Sequence, residues 1–231
     1  MLLHVGVLLL SGATGVFEPG PVPEGTLRVL LVRHAQAYSN LQPPPALPPE
    51  QLDRLTELGA ANARRLAGLV RPLAPARVLV SPLNRTRQTA ELVRAGLGLP
   101  FVTIEPRLRP MDMGHDDDGH ELEIHARWAE WRTRRDPRPA GGESLDDAAE
   151  RVLVVLQEQR RAYGPGLVVA VSHSEVIASV NGRLRDRPAW ERFPPQVANC
   201  SLSVIDVAAD GSLELVQEAC PLPAPEAVAT H

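Results

Sequence analysis

Residues 27–34 read Leu-Arg-Val-Leu-Leu-Val-Arg-His, an almost wholly apolar stretch that ends in two basic side chains. A short apolar run of this kind is typical of a parallel strand that is buried on both faces. In an open parallel sheet, ligands bind outside the carboxyl ends of the strands. Arg33 and His34 are therefore predicted to lie where a ligand binds.

Further strands and helices alternate along the chain after this first strand. Strands are predicted over residues 78–80, 101–104 and 166–171, and helices over residues 56–69 with Thr56 as N-cap, 84–95, 121–131, 145–162 with Ser144 as N-cap, and 174–184. Residues 202–207 and 213–216 flank Asp210-Gly211, a dipeptide that favours a hairpin turn. This order predicts the α/β class, as a three-layer α/β/α sandwich with a mostly parallel central sheet and a C-terminal hairpin.

The two ends of the chain are predicted to lie outside the folded domain. Residues 1–25 are expected to be an N-terminal extension or a signal-like segment, because residues 1–10 are apolar but carry no arginine. The segment is too short to span a bilayer, so no stable membrane span is expected, and the cytoplasm is favoured over export. Residues 26–220 are predicted to form the domain and residues 221–231 a disordered tail. Residues 41–50 contain five prolines and predict an extended loop without helix.

The composition excludes several classes of function. The chain has 231 residues, a formal net charge of −4 and only 3% aromatic residues, so no nucleic-acid partner is expected. All 24 basic residues are arginine, which excludes a lysine Schiff base and a phosphate loop that depends on lysine. Arginine is left as the permanent cation for an anionic substrate, and its planar fork suits phosphate oxygens.

Three of the predicted strands end in polar side chains that can carry chemistry. The first ends in Arg33-His34, the second in Ser81 with Arg85 four residues later, and the fourth in a serine followed by His173. Because such ends meet at one edge of a parallel sheet, two histidines and two arginines are expected to face one pocket. Phosphoryl transfer needs a nucleophile surrounded by cations, and nearby arginines help keep an imidazole neutral and nucleophilic.

The same residues belong to four short motifs. They are LVRHAQAYSN at residues 31–40, SPLNRTRQTA at 81–90, GGES at 141–144 and VSHSE at 171–175. In order and spacing, from about residue 28 to residue 207, these motifs resemble the first branch of the histidine phosphatase superfamily, which includes phosphoglycerate mutases. Each motif alone is a weak signal, but four in order are a strong one.

The resemblance implies a role for each matching residue. His34 would become phosphorylated and then be hydrolysed, while Arg33, Arg85 and His173 would hold the phosphoryl group. Asn40 would contact that group as well, and Glu143 and Ser174 are further candidates for binding substrate. The resemblance implies that catalysis needs neither a metal nor a cofactor.

One departure from the family concerns the general acid. The family usually has Leu-x-Glu where this chain has Leu-Arg-Pro, so Pro110 stands in place of the glutamate. Proline cannot donate a proton, so another acid must reach the leaving oxygen. Asp112 is the first candidate for that acid. The reserve candidates are Asp116, Asp117, Asp118 and Glu143.

The acidic run at residues 115–120 and the two cysteines allow other interpretations. The run, with His125 nearby, could suggest a metal site, but it lacks zinc-protease and calcium-loop spacing, so a solvated loop is predicted. Cys200 and Cys220 flank the predicted hairpin and are expected to be reduced, with a disulfide as the alternative.

These observations predict a phosphomonoesterase that acts on a small phosphorylated metabolite through a phosphohistidine on His34. Two alternatives remain open. The first is a mutase that returns the phosphoryl group to its substrate, which requires a site closed to water. The second is a phosphate-binding module with little or no turnover, because Pro110 replaces the usual acid. The identity of the substrate and the oligomeric state cannot be predicted from the sequence.

Overall fold

A central sheet organises the chain in the computed structural model, which describes residues 17–224 apart from 117, 121, 123–126 and 194–196. The strands of the described residues are β1 (Leu27–Arg33), β2 (Arg77–Val80), β3 (Thr103–Ile104), β4 (Gly166–Ser172), β5 (Leu202–Val207) and β6 (Leu213–Cys220). Their order in the sheet is β3-β2-β4-β1-β5-β6. The first four strands are mutually parallel, whereas β5 is antiparallel to β1 and pairs with β6 as a hairpin.

Helices cover both faces of this sheet. They are α1 (Pro49–Leu52), α2 (Glu57–Val70), α3 (Asn84–Leu97), α4 (Trp128–Thr133), α5 (Leu145–Tyr163), α6 (Ser174–Leu184) and α7 (Ala189–Arg192). In β1, Leu30 and Val32 pack with side chains of α2 and α3, while Val29 and Leu31 pack with those of α5 and α6. Successive side chains of a strand point to opposite faces, so one apolar strand supplies both cores. The predicted three-layer α/β/α sandwich, with a mostly parallel sheet and a C-terminal hairpin, is confirmed.

Two helices begin at the capping residues that the sequence predicts. The Thr56 hydroxyl accepts a hydrogen bond from the backbone N–H of Gly59 at 2.9 Å. The Ser144 hydroxyl accepts one from the Asp147 N–H, and the Asp147 carboxylate accepts one from the Ser144 N–H. Both caps satisfy backbone donors that a helix leaves free in its first turn, and they fix where α2 and α5 start.

Three predicted elements differ from the structure. The proline-rich stretch 41–50 was expected to contain no helix, but α1 begins at Pro49, because proline is tolerated in a first helical turn where its missing N–H is not needed. The strand predicted over 101–104 is only the two residues of β3 at the sheet edge. The helix predicted over 121–131 corresponds to α4, which runs further, to Thr133, and most of residues 121–126 lie outside the described part of the chain.

The last predictions to compare with the structure concern the two ends of the chain and the two cysteines. The apolar segment 1–16 and the last residues of the predicted tail, 225–231, lie outside the described residues. Within the described part of the chain, none of the helices has the length and apolar character needed to cross a bilayer. Cys200 and Cys220 are both buried free thiols, and burial raises the pKa of Cys200 to about 12.

Candidate active site

His34 lies just beyond the carboxyl end of β1 and is almost fully buried, with 3% of its surface exposed. Its backbone N–H donates to the carbonyl oxygen of Ser172 in the neighbouring strand at 3.0 Å. Its ring Nδ1 lies 2.8 Å from the carbonyl oxygen of Ala35, which can only accept, so Nδ1 carries the proton. The Nε2 atom accepts a hydrogen bond from the Arg85 Nε–H at 3.2 Å. The unprotonated Nε2 therefore faces a guanidinium.

His173 lies at the carboxyl end of β4 and precedes the first residue of α6. Its ring meets that of His34 edge-on, with 5.4 Å between the ring centroids. Its Nδ1 accepts a hydrogen bond from Arg85 Nη2 at 3.2 Å, so its Nε2 carries the proton and donates to the Ser81 hydroxyl at 2.8 Å. Ser81 thereby fixes the orientation of this ring.

Arg85 lies in the first turn of α3 and contacts both histidines. Its Nη1 pairs with the Asp53 carboxylate at 2.6 Å. The same carboxylate accepts hydrogen bonds from the backbone N–H groups of Asn84 at 2.9 Å and Arg85 at 3.4 Å. Asp53 thus holds both the start of α3 and the guanidinium, a role that the sequence analysis did not predict.

Arg33 is the last residue of β1 and is only partly satisfied by the protein. Its Nη1 donates to the carbonyl oxygen of Val197 at 2.6 Å. Its Nε is buried and has no hydrogen-bond partner among the described residues. Burial lowers the pKa of Arg33, the nearby Glu175 carboxylate opposes this change, and Arg85 adds to it. A buried donor without a partner is uncommon, and here it lies among side chains suited to an anion.

The electrostatics of the site keep both imidazoles neutral. Burial, followed by the positive charge of Arg85, lowers the pKa of His34 from its ordinary 6.5 to about 3. The same two causes, with His34 third, lower the pKa of His173 well below 6.5. At neutral pH the site therefore combines two neutral rings with two guanidinium groups. An unprotonated nitrogen surrounded by cations is the arrangement that attack on a phosphoryl group requires.

Asn40 supports the loop that carries His34. Its Oδ1 accepts hydrogen bonds from the backbone N–H of Ala37 at 3.0 Å and from Asn199 Nδ2 at 3.2 Å. Asn199 Nδ2 also lies 3.0 Å from the carbonyl oxygen of His34 and donates to it. The sequence analysis did not identify Asn199, which joins the turn before β5 to the loop after β1.

Glu143 is paired with two arginines. Its carboxylate accepts hydrogen bonds from Arg109 at 2.9 and 3.0 Å and from Arg151 at 2.8 and 3.2 Å. Burial opposes its ionisation, but these arginines and the backbone N–H of Asp112 outweigh that effect and lower its pKa to about 2. Glu143 is therefore ionised at neutral pH, and its observed contacts are those of a loop anchor.

Asp112 and Ser174 make local contacts. The Asp112 carboxylate accepts a hydrogen bond from the backbone N–H of Gly114 at 3.0 Å. The Ser174 hydroxyl donates to the Glu175 carboxylate at 3.1 Å. Neither contact joins the cluster of His34 and its neighbours, so the acid role of Asp112 and the substrate-binding roles of Ser174 and Glu143 stay predictions.

The acidic run at residues 115–120 forms an exposed turn where it is described. Asp116 Oδ1 accepts hydrogen bonds from the backbone N–H groups of Asp118 and His120. Asp117 and His125 lie outside the described residues. Among the residues that the structure does describe, no group of three or more histidine, cysteine or acidic side chains is placed to hold a metal ion.

A cavity of about 460 Å³ opens beside the loop that carries His34. Its walls are Tyr38, Leu47, Gln51, Arg54 and Leu55. Two of these residues neighbour parts of the site, since Leu55 forms a β-bridge with Ala37 and Arg54 follows Asp53, whose carboxylate pairs with Arg85. A cavity of this size can accept part of a small molecule.

Comparison with known proteins gives the family. Residues 29–218 match the model of the histidine phosphatase superfamily, branch 1. The chain belongs to this superfamily. Its matched region contains all the site candidates of the sequence analysis, from Arg33 to Ser174.

Two of the similar proteins carry different activities in their names. The probable phosphoglycerate mutase GpmB of Photorhabdus laumondii is 30% identical over 185 residues, covering 78% of this chain and 85% of the relative. The solved structure of mycobacterial glucosyl-3-phosphoglycerate phosphatase with inorganic phosphate has 25% identity and a TM-score of 0.61, covering 87% of this chain and all of the other. Bacillus stearothermophilus YhfR has 25% identity and a TM-score of 0.65, covering 84% of this chain and 98% of its own.

Proposed function

We propose that this superfamily member is a phosphomonoesterase that hydrolyses a small phosphorylated metabolite through a phosphohistidine on His34. The observation that carries the proposal is the position of His34 Nε2, which is unprotonated and 3.2 Å from Arg85 Nε. A neutral imidazole attacks phosphorus without first losing a proton, and an adjacent guanidinium stabilises the negative charge of the group that it attacks.

Each neighbour of His34 has a defined task in this mechanism. When a phosphoryl group enters the site, Arg85 gives up its hydrogen bond to His34 Nε2 and donates to the phosphoryl oxygens instead. Two guanidinium groups neutralise the charge of those oxygens, that of Arg85 and that of Arg33, whose Nε lacks a partner among the described residues. The ring of His173, which contacts Arg85, lies beside them. Asp53 keeps Arg85 aimed at the site through its contact with Nη1. Little covalent chemistry is left to the protein, because phosphoryl transfer depends mainly on positioning and charge.

The second half of the reaction requires water. Water attacks the phosphorus of the phosphohistidine, the N–P bond breaks, and phosphate leaves with His34 neutral again. We propose that the part of the substrate that is not phosphate binds in the cavity beside the loop of His34, against Tyr38 and Arg54. In this scheme Asn40 stabilises the loop of His34, and Ser174 and Glu143 stay predicted as contributors to substrate binding.

Asp112 is the proposed donor of the leaving group's proton. Asp112, the acid that the sequence predicts, is half-buried and contacts the backbone of its own loop. Its role is tested by Asp112→Asn. If Asp112 is the acid, this variant loses turnover of alkyl phosphates about 10²–10⁴-fold and retains that of aryl phosphates, because only alkyl leaving groups need the proton.

Mutase activity is the second candidate, since the relative from Photorhabdus laumondii is named a probable phosphoglycerate mutase. A mutase returns the phosphoryl group to an organic acceptor, so its site must exclude water. Incubation with 3-phosphoglycerate separates the two activities. Net release of phosphate supports hydrolysis, whereas interconversion of phosphoglycerates without release supports the mutase.

The proposed hydrolysis is tested by a turnover screen of metabolite phosphates on the purified full-length chain. Phosphate release by the wild type and its absence in His34→Ala are the expected results. Rapid acid-free quenching with a labelled substrate is expected to trap label on His34. Binding of inorganic phosphate without turnover of any compound would instead support the phosphate-binding module.

A further inference from the structure

A short turn before β5, residues 197–201, is bonded to the end of β1 that carries the site. The backbone N–H of Cys200 donates to the carbonyl oxygen of Arg33, and the N–H of Arg33 donates to the carbonyl oxygen of Ser201, each at 3.1 Å. The carbonyl oxygen of Val197 accepts a hydrogen bond from Arg33 Nη1 at 2.6 Å. The turn therefore lies directly against the carboxyl end of β1.

The backbone of this turn has one uncommon conformation. Cys200 has a φ of 61°, in the left-handed region that residues other than glycine rarely adopt. It is fully buried, and the Ser201 N–H closes the turn on the carbonyl oxygen of Ala198 at 3.0 Å. Such a conformation persists where surrounding contacts hold it, and conformations of this kind are concentrated at functional sites. The residue that precedes Cys200 in the turn is Asn199.

Two asparagine side chains connect the turn to the loop that carries His34, and their partners fix which way each amide faces. The Ala37 N–H can only donate, so the Asn40 atom 3.0 Å from it is the oxygen. That oxygen can only accept, so the Asn199 atom 3.2 Å from it is the nitrogen. The same nitrogen donates to the carbonyl oxygen of His34 at 3.0 Å. Rotating the Asn199 amide by half a turn would therefore break two hydrogen bonds at once.

The hydrogen bond to His34 acts on the nucleophile through its backbone. The carbonyl group of His34 belongs to the peptide that links this residue to Ala35, and the carbonyl oxygen of Ala35 accepts the ring Nδ1–H at 2.8 Å. A bond that holds this peptide in place thus supports both the backbone of the ring and the acceptor that keeps the proton on Nδ1. The lone pair at Nε2 depends on that acceptor.

The hydrogen bond to Asn40 leaves the amide nitrogen of that residue for a ligand. Asn40 Oδ1 accepts from Ala37 and Asn199, whereas Asn40 Nδ2 donates to none of the residues that the structure describes. An amide nitrogen can donate to a phosphoryl oxygen, but an amide oxygen would repel it. The orientation that Asn199 imposes on Asn40 is therefore the one that suits an anion.

Resting on the proposed function, we infer that Asn199 is a positioning residue of the reaction. It holds the backbone of His34 and turns the amide nitrogen of Asn40, not its oxygen, toward the phosphoryl group. The observation that carries the inference is a single nitrogen atom bonded both to the carbonyl oxygen of the nucleophile and to Asn40 Oδ1. Asn199 acts through these two residues and needs no contact of its own with the substrate, because both hydrogens of its amide are in use.

Asn199→Asp is the decisive variant, because it keeps the shape of the side chain but has no N–H to donate to either oxygen. In the full-length protein it is expected to lower kcat for phosphate release about 10²-fold, the cost of a misplaced reacting group, with a smaller change in KM. Asn199→Ala removes the same two bonds without adding a charge and is expected to act in the same direction. Ser201→Ala is the matched control, since it removes a hydrogen bond within the turn, to Ala198, and is expected to keep the wild-type kinetic constants.

A turn that serves only the fold would give a different result. Both variants of Asn199 would then lower the free energy of unfolding in urea, while kcat and KM of the folded fraction would match those of the wild type. That outcome would overturn the inference and leave the proposed hydrolysis intact. Absence of phosphate release by the wild type from every phosphate ester would overturn the proposed function and, with it, the inference.

A double-mutant cycle tests the route through Asn40. If Asn199 orients Asn40, combining Asn199→Ala with Asn40→Ala is expected to lower kcat/KM about tenfold less than the product of the two single losses, because the second substitution removes a contact already impaired. Losses that multiply would contradict the orientation of Asn40 by Asn199 and overturn the inference as stated.

Asn40→Asp tests which atom of Asn40 faces the substrate. The carboxylate keeps both acceptor contacts, to Ala37 and Asn199, but replaces the amide nitrogen with a charged oxygen. This variant is expected to lose at least as much kcat/KM as Asn40→Ala, because the missing donor and the added charge both act against an anion on that side. Wild-type kcat/KM in Asn40→Asp would show that the nitrogen does not face the phosphoryl group, and the inference would be wrong.

Discussion

Strand β1 carries two arginines, one near each end, and the protein treats them differently. Arg28 is 2% exposed, and its guanidinium pairs with both oxygens of Asp206 at 2.7 Å and with the carbonyl oxygens of Pro19 and Gly20. The guanidinium of Arg33, at the carboxyl end, donates one hydrogen bond among the described residues, to the carbonyl oxygen of Val197, and its buried Nε has no partner there.

The difference separates an arginine that serves the fold from one that serves a ligand. Burying a charge is costly unless it is paired and hydrogen-bonded, and Arg28 meets both conditions within the protein. Arg33 does not, and it lies in the same cluster as Arg85 and His34, where the charges are again only partly compensated. In β1, incomplete satisfaction of the guanidinium thus distinguishes the arginine beside His34 from the arginine paired with Asp206.

The largest expected effect comes from His34, the proposed nucleophile, which follows Arg33 in the sequence. His34→Ala is expected to lower kcat for phosphate release on the order of 10⁴-fold or more, because no other group can form the covalent intermediate. The free energy of unfolding is expected to change far less in proportion, because the ring makes few contacts that hold the fold. Steady-state kinetics and urea denaturation measure the two effects. Retained phosphate release would show that His34 is not the nucleophile.

A matched pair of substitutions tests the contrast directly. Arg28→Met leaves Asp206 buried and unpaired and is expected to lower the free energy of unfolding by about 3–5 kcal/mol with little change in kcat of the folded fraction. Arg33→Met removes a charge that the protein leaves partly unsatisfied, so stability is expected to hold while kcat/KM falls about 10²–10³-fold. Denaturation curves and phosphate release on both variants give the comparison.

The double variant Arg28→Met/Asp206→Leu is the control for this pair. Replacing both partners of a buried ion pair by apolar residues is often close to neutral, so the double variant is expected to recover most of the stability that Arg28→Met loses. Equal destabilisation by Arg33→Met and Arg28→Met would remove the distinction between the two ends of the strand.

Asp53→Asn tests how far the placement of Arg85 matters. The amide can still accept hydrogen bonds from the backbone of α3, but it loses the charge that holds Nη1, so kcat is expected to fall by up to about 10²-fold. A role confined to capping α3 would change stability and leave the kinetic constants of the folded protein unchanged. Glu50→Gln, at a nearby exposed carboxylate, is the control.

The sequence predicted the position of a residue well where that residue lies at the end of one strand or helix. Arg33, His34, Arg85 and His173 lie within a residue or two of an element boundary, so a buried strand and its end were enough to predict that they converge. The structure brings His34, Arg85 and His173 into direct contact, and the charge of Arg33 acts on His34 beside them. Thr56 and Ser144 were predictable for the same local reason, since each caps the helix that follows it.

The residues that sequence reasoning missed depend on packing between distant elements. Asp53 matters because the loop before α2 meets the start of α3, and Asn199 because the turn before β5 meets the loop after β1. Glu143 was selected from its motif, but its two arginine partners come from other positions, and only the fold brings them together. Periodicity and motif spacing contain no information about such partners.

The smallest expected effect is a pH dependence of stability that belongs to the site end of β1. The pKa of His34 is about 3 in the folded protein, against an ordinary value of 6.5 that the unfolded chain is expected to show. Between these values the unfolded chain binds a proton that the folded protein does not. The contribution of His34 to the free energy of unfolding is therefore fully present above pH 6.5 and is lost as the pH falls toward 3. His173, whose pKa is also lowered, acts in the same direction.

At pH 5 the contribution of His34 amounts to a loss of about 2 kcal/mol relative to neutral pH, since each unit of displacement corresponds to about 1.4 kcal/mol. His34→Asn removes the titrating group, so its unfolding free energy is expected to fall by about that much less than the wild type's between pH 7 and pH 5. His115→Asn, at an exposed histidine, is expected to keep the wild-type dependence. An unchanged dependence in His34→Asn would mean that the pKa of His34 is the same in the folded and the unfolded chain, which would contradict the lowered pKa that burial and Arg85 give to this ring.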